Sequence, residues 1–168
     1  MSDPTLAEVL TWFKTDMTPK RTTSAGFSGN RLWKSPPSWF RGNTEDPNGL
    51  CGDVAFYLHE KMFEKFNTYS TSDGYQIGMI LWEGAILNHI ANVMFVKGKT
   101  SKCKYTYSHK TKLITAINGK SQYTDPELKK LKVLDLYYKK SSDVRTWWAD
   151  QDSMGGTLTL ANLSQIND

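Results

Sequence analysis

The sequence predicts an α+β fold: N-terminal helices, one of them carrying a cysteine, packed on a mostly antiparallel sheet. Three observations predict it. Apolar residues recur at three- and four-residue intervals in the chain's first third. Beyond Gly74 they fall instead into short runs of strand length, parted by turn signals such as Glu83-Gly84 and Asn118-Gly119. No repeat and no shift in composition divides the 168 residues, so they read as one domain, 1–168, long enough to bury a core.

Asp3-Pro4 opens the first helix, with aspartate as cap and proline in the first turn. Leu6, Val9, Leu10, Phe13 and Met17 form its apolar stripe, and Pro19 ends it. Thr18 to Pro47 is rich in small polar residues, glycine and proline and reads as loop, yet it holds Phe27, Leu32, Trp33, Trp39 and Phe40. So many large aromatics predict a loop packed on the domain, as one wall of a cleft or as a surface strap. Pro47-Asn48-Gly49 then favours a turn, and Val54, Ala55, Leu58, Met62 and Phe66 make a helical stripe opposite Glu60, Lys61, Glu64 and Lys65. That helix begins at Cys51, with Asp53 placing negative charge in its first turn. Strands are expected at Tyr75 to Trp82, His89 to Val96, Lys102 to Tyr107, Leu113 to Ile117, Lys132 to Tyr138 and Thr157 to Leu160. Short helices are expected at Asp125-Pro126 and after a cap at Ser142 or Asp143, the latter carrying Trp147 and Trp148.

A net charge of +4 and a pI near 9.0 are mild. The lysines gather in 97–112 and 129–140, as solvated strand faces do to block edge pairing. The sharper reading is a groove for single-stranded nucleic acid, with Tyr105, Tyr107, Tyr137 and Tyr138 as stacking platforms, but no recognition motif accompanies the charge. Glu83 and two glycines interrupt the longest apolar run, so no membrane span is expected. No basic-then-apolar leader opens the chain, which implies a cytoplasmic location or delivery by a specialised secretion system. Two cysteines do not make a disulfide scaffold, and neither has a second Cys or His at zinc-ligand spacing. No metal or organic cofactor is expected.

Cys51 is the candidate nucleophile, because the positive end of the helix dipoles favours thiolate over thiol. The alternative is a buried cysteine packing as a small hydrophobe. A nucleophilic thiol needs a base and a group that orients the base. Of the three histidines, His59 lies about 12 Å along the same helix, too far for a hydrogen bond, and is expected on its solvated or flanking side. His109 occupies a lysine-rich turn. His89 opens an apolar strand and is the candidate base, or else a satisfied core histidine. Asp135, in the apolar strand Val133-Leu134-Asp135-Leu136-Tyr137, requires a buried partner. A histidine on the neighbouring strand would serve and would be held in one tautomer; a Lys or Arg pair is the alternative. Asn92 and Asp143 are further candidates for the orienting role.

The order of a helix-borne cysteine, a histidine opening a strand and an acid on a later strand resembles the papain-like cysteine hydrolases, in particular their transglutaminase-like branch. Gly49-Leu50-Cys51-Gly52-Asp53 is similar to that group's Gly-x-Cys approach to its helix, and His89-Ile90-Ala91-Asn92-Val93 to its His-x-x-Asn strand. Val133-Leu134-Asp135 resembles the strand bringing the acid. The family places that strand directly after the histidine strand, so the resemblance requires an inserted hairpin, for which Cys103 to Asn118 is the candidate. Were the hairpin part of the main sheet, Asp135 would lose its assignment.

What the resemblance implies is thiol-dependent acyl transfer from an amide of a protein or peptide substrate, as peptidase, deamidase or transglutaminase, by a Cys51-His89-Asp135 triad. The oxyanion would lie against the Cys51 backbone N–H in a cleft beside Gly52, with a second donor from Asn48 or Trp39. Small stand-alone domains of this type are similar to bacterial effectors and toxins. The rival function is a non-catalytic binding module of the same fold, or the basic nucleic-acid domain above.

Overall fold

The computed structural model describes residues 2–22, 47–84, 88–99, 102–107, 114–116, 123–152 and 156–165. Trp39, with Phe27, Leu32, Trp33 and Phe40 of its segment, His109 and the Asn118-Gly119 turn lie outside them. The fold is α+β.

Helix α1 spans Leu6–Trp12. Its cap is Thr5 rather than Asp3: the Thr5 hydroxyl accepts from the Glu8 N–H while the Glu8 carboxylate reaches back to the Thr5 N–H, a reciprocal pair that aspartate two residues earlier cannot make. Beyond α1 the chain widens into a π-turn over Phe13–Met17 and tightens again over Thr18–Lys20, so Pro19 sits inside the last turn instead of stopping the helix before it. The expected stripe is buried at Val9, Phe13 and Met17, with Leu6 and Leu10 packed against it.

Helix α2, Cys51–Phe66, buries Cys51, Val54, Ala55, Leu58 and Met62 as the spacing predicts. It also buries His59, which the sequence places on the solvated or flanking side. The imidazole stacks on Tyr69 at 4.6 Å, and Tyr69 comes from the turn region after the helix, a neighbour the helix's own periodicity does not report.

Among the described residues seven strands, β1 (Tyr75–Glu83), β2 (Asn88–Val96), β3 (Cys103–Tyr107), β4 (Ile114–Ala116), β5 (Lys132–Asp135), β6 (Lys140–Asp143) and β7 (Thr157–Ala161), form one sheet in the order β4-β3-β7-β1-β2-β5-β6. Every pairing among them is antiparallel. The β3–β4 hairpin is therefore part of the main sheet, the condition under which Asp135 was expected to lose its place. It keeps its place because the hairpin joins on the far side, through β7, and leaves β5 paired directly with β2. The expected strand Lys132 to Tyr138 ends at Asp135, where Leu136 to Lys139 turn back and Lys139 takes a left-handed φ of 60°. The returning strand β6 is absent from the sequence reading, since Lys140-Ser141-Ser142-Asp143 has no apolar alternation.

Two cores result, one on each face of the sheet. Ile77, Met79, Leu81, Ile90 and Met94 face α1 and α2. Ile80, Trp82, Ala91, Val93, Phe95, Val133, Leu158 and Leu160 face the other way, onto helix α4 (Val144–Asp152) with its Trp147 and Trp148. The short helix α3, Asp125–Leu128, adds Leu128 to that second core. Among the described residues no helix is long and apolar enough to cross a membrane.

Candidate active site

Cys51 is the first residue of α2, and Leu50 before it is extended, with φ −69° and ψ 168°. Asp53 caps the helix start by accepting the Leu50 N–H at 3.2 Å. A Cβ on Gly49 would stand 2.8 Å from that carboxylate oxygen and 2.9 Å from the Asp53 Cβ, so glycine there is what lets the cap close over the chain. Asn48 accepts from the Thr22 N–H at 2.8 Å, which ties the turn before the cysteine to the chain after α1. The sulfur is buried, as is the second cysteine, Cys103.

His89 pairs with Trp82 near the start of β2. The ladder with β5 covers only Asn92 to Met94, so the His89 end of β2 runs past it and meets the turn that follows Asp135. By strand alternation His89 belongs to the Trp147 face of the sheet, whereas Cys51 belongs to the opposite core. The imidazole stands where the two cores meet. Its ring stacks on Trp147 at 5.7 Å and meets the edges of Tyr137 at 5.6 Å and Tyr138 at 4.9 Å.

The His89 Nε2–H donates to the Asp135 Oδ2 at 2.8 Å. The same oxygen accepts from the Trp147 indole N–H at 2.8 Å, and Oδ1 accepts from the Tyr138 backbone N–H at 3.2 Å. Three donors on a buried carboxylate suit its ionised, acceptor-only form. Nε2 is committed to Asp135, and Cys51 lies near enough to the imidazole to help raise it. Cysteine, histidine and aspartate thus lie together, with the carboxylate bonded to the ring.

Burial alone would strip the charge from both members of the pair. For His89 the Asp135 charge and hydrogen bond outweigh that, with a further contribution from Cys51, and raise the ring to about 10. For Asp135 burial works against ionisation, but the His89 charge and the bonds from His89, Trp147 and Tyr138 prevail and hold the carboxyl below its usual range.

Neither alternative orienting residue reaches the imidazole's hydrogen bonds. Asn92 is buried on the α2 face, where its amide donates to the Gly78 carbonyl at 3.4 Å and approaches the Met79 sulfur. Asp143 caps α4, accepting from the Thr146 N–H and hydroxyl at 3.0 and 2.9 Å. Gly52 lies buried beside the sulfur, on the second position of α2. Among the described residues no group of three or more His, Cys, Asp or Glu side chains is placed to hold a metal ion.

Three contributors to this site were not singled out from the sequence. Trp147 was read only as a helix residue, although a carboxylate in an apolar strand demands N–H donors and indole is donor-only. Tyr138 supplies its backbone N–H from the turn that ends the strand, three residues after the acid. Arg21 carries no such signal; it is the residue on which the next two segments converge.

Compared with protein-family models, with curated proteins and with solved structures, the chain matches none.

Proposed function

We propose that this protein is a thiol-dependent acyl-transfer enzyme acting on amides of protein or peptide substrates. The observation that carries the proposal is the buried series Cys51, His89, Asp135, with the sulfur at a helix N-terminus and the carboxylate behind the ring. An imidazolium beside a thiol stabilises the thiolate, and the thiolate is the nucleophile. With its proton already held by His89 Nδ1, the Cys51 sulfur attacks the amide carbonyl carbon, and negative charge gathers on the carbonyl oxygen. The Cys51 N–H, which as the first of the helix has no intrahelical partner, faces that charge. His89 then protonates the departing nitrogen as the C–N bond breaks, leaving a thioester on Cys51. Water or an amine, deprotonated by His89, then attacks the thioester, and the acyl group leaves the sulfur with the proton back on His89 as at the start. Asp135 holds one tautomer throughout and balances the imidazolium.

Whether the departing nitrogen is ammonia, a peptide amine or one exchanged for another amine decides between deamidase, peptidase and transglutaminase. The test is incubation with candidate proteins and with cell-wall peptides, following ammonia and new amino termini, while mass spectrometry looks for an acyl adduct on Cys51. The proposal expects an adduct that Cys51→Ala abolishes. Turnover that survives Cys51→Ala would overturn it.

A further inference from the structure

Arg21 is one of the largest fully buried side chains in the protein, although it belongs to none of the apolar stripes. A buried guanidinium is costly unless its N–H groups are satisfied. Its Nε–H donates to the Tyr137 carbonyl at 2.7 Å. From the same fork, Nη1 donates to the Pro47 carbonyl at 2.8 Å and to the Gly49 carbonyl at 3.3 Å. The guanidinium carbon lies over the Tyr137 ring at 4.3 Å, and the edge of that ring abuts His89.

These acceptors divide into two groups. Pro47 and Gly49 belong to the segment that delivers Cys51 to the start of α2. Tyr137 belongs to the turn whose next residue, Tyr138, donates its N–H to Asp135. One planar side chain thus spans the sulfur-bearing segment and the turn supporting the imidazole and carboxylate. Those two segments come from opposite sides of the sequence and share no strand pairing. A fork of N–H groups in fixed geometry can set the distance between them, which an ammonium on a flexible stem cannot do in the same way.

We infer that Arg21 is a positioning residue that sets the separation of Cys51 from His89; this rests on the triad reading given above. Arg21 acts through the Pro47–Gly49 segment and Tyr137. Small misplacements of reacting groups can cost on the order of a hundredfold in rate.

The experiment is alkylation of Cys51 by iodoacetamide across pH 6 to 9, with Cys103 replaced by serine so that one thiol reports. Wild type, His89→Ala, Arg21→Gln and Arg21→Lys are compared, each checked for a cooperative thermal melt, and Arg21→Ala is measured with and without guanidinium chloride at low millimolar concentration. The expected result is that Arg21→Gln slows alkylation at neutral pH by about tenfold or more and moves its pH profile toward that of His89→Ala. Arg21→Lys should recover part of the loss, and guanidinium should restore Arg21→Ala. A folded Arg21→Gln with the wild-type profile would overturn the inference while leaving the triad intact. Identical profiles in wild type and His89→Ala would instead sink the triad reading itself. If no Arg21 variant folds, even with guanidinium, Arg21 serves stability and the inference is overturned.

Discussion

The buried histidines His59 and His89 each touch a carboxylate at nearly the same distance, and the pair are driven in opposite directions. His59 Nδ1 lies 3.0 Å from Glu60, and its ring is held below the ordinary histidine value: burial lowers it more than the Glu60 hydrogen bond and charge raise it. His89 Nε2 lies 2.8 Å from Asp135, and its ring is raised to about 10. Contact is the same in kind; what differs is the carboxylate's surroundings. The Glu60 side chain is 46% exposed and shares its oxygens with the Tyr69 hydroxyl, so water screens it. The Asp135 side chain is 3% exposed and held by three N–H donors, so its charge acts on the imidazole at low dielectric. A histidine–carboxylate contact becomes a charged relay only when the acid is buried with its own donors in place.

The largest effect that separates the two pairs is on reactivity. His89→Ala should reduce amide turnover by about 10²- to 10⁴-fold, the range for loss of a general acid–base, while His59→Asn should leave it within about twofold. A matched assay of the two variants on the same substrate checks this. Equal losses would erase the functional distinction between the pairs.

Next in size is the effect of the acid. Asp135→Asn keeps the burial of His89 but removes the charge, so its ring should titrate below the ordinary histidine value, as His59 does. Glu60→Gln should move His59 further down by a smaller amount, because Glu60 already contributes less than burial. Proton titration of the ring resonances in both variants gives the comparison directly.

Stability should also carry opposite signs. His89 has a folded value above the unfolded one, so the stability it contributes is full below about pH 6.5 and drains away as pH rises toward about 10. Asp135 is depressed, so its share is lost only as pH falls through its folded value, below the usual carboxylate range. His59 is lowered, so the unfolded chain binds its proton first and stability falls as pH drops below about 6.5. Thermal melts from pH 5 to 10 should lose their alkaline slope in His89→Ala and flatten just below neutrality in His59→Asn.

The smallest effect is a single hydrogen bond. Trp147→Phe keeps the stacked ring but deletes the indole donor to Asp135, at a cost of about 1.5–3 kcal/mol in unfolding free energy. Removing the Tyr69 hydroxyl from Glu60, by Tyr69→Phe, should cost under about 1 kcal/mol because water replaces it. Urea melts of the two variants measure the difference.

The sequence reading reached the parts of this site that leave a local trace. Helical spacing behind Cys51, an apolar strand opened by His89 and a carboxylate out of place in Val133 to Tyr137 are each visible within a few residues. Parts made by long-range meeting were not visible. The helix pattern puts His59 on a solvated or flanking side because it carries no trace of Tyr69, and Lys140 to Asp143, polar throughout, gives no sign of β6. The β3–β4 hairpin was foreseen as a unit, but which edge of the sheet it joins depends on β7, far along the chain. Arg21 is the limiting case: one arginine beside a loop, whose three carbonyl partners come from two distant segments.

The most direct measurement is the protonation state of the two rings in one sample, read from imidazole ¹⁵N shifts at pH 8. The account predicts both nitrogens of His89 protonated, with Nε2–H bonded to Asp135, and His59 neutral. A neutral His89 that titrates alongside His59 would contradict it.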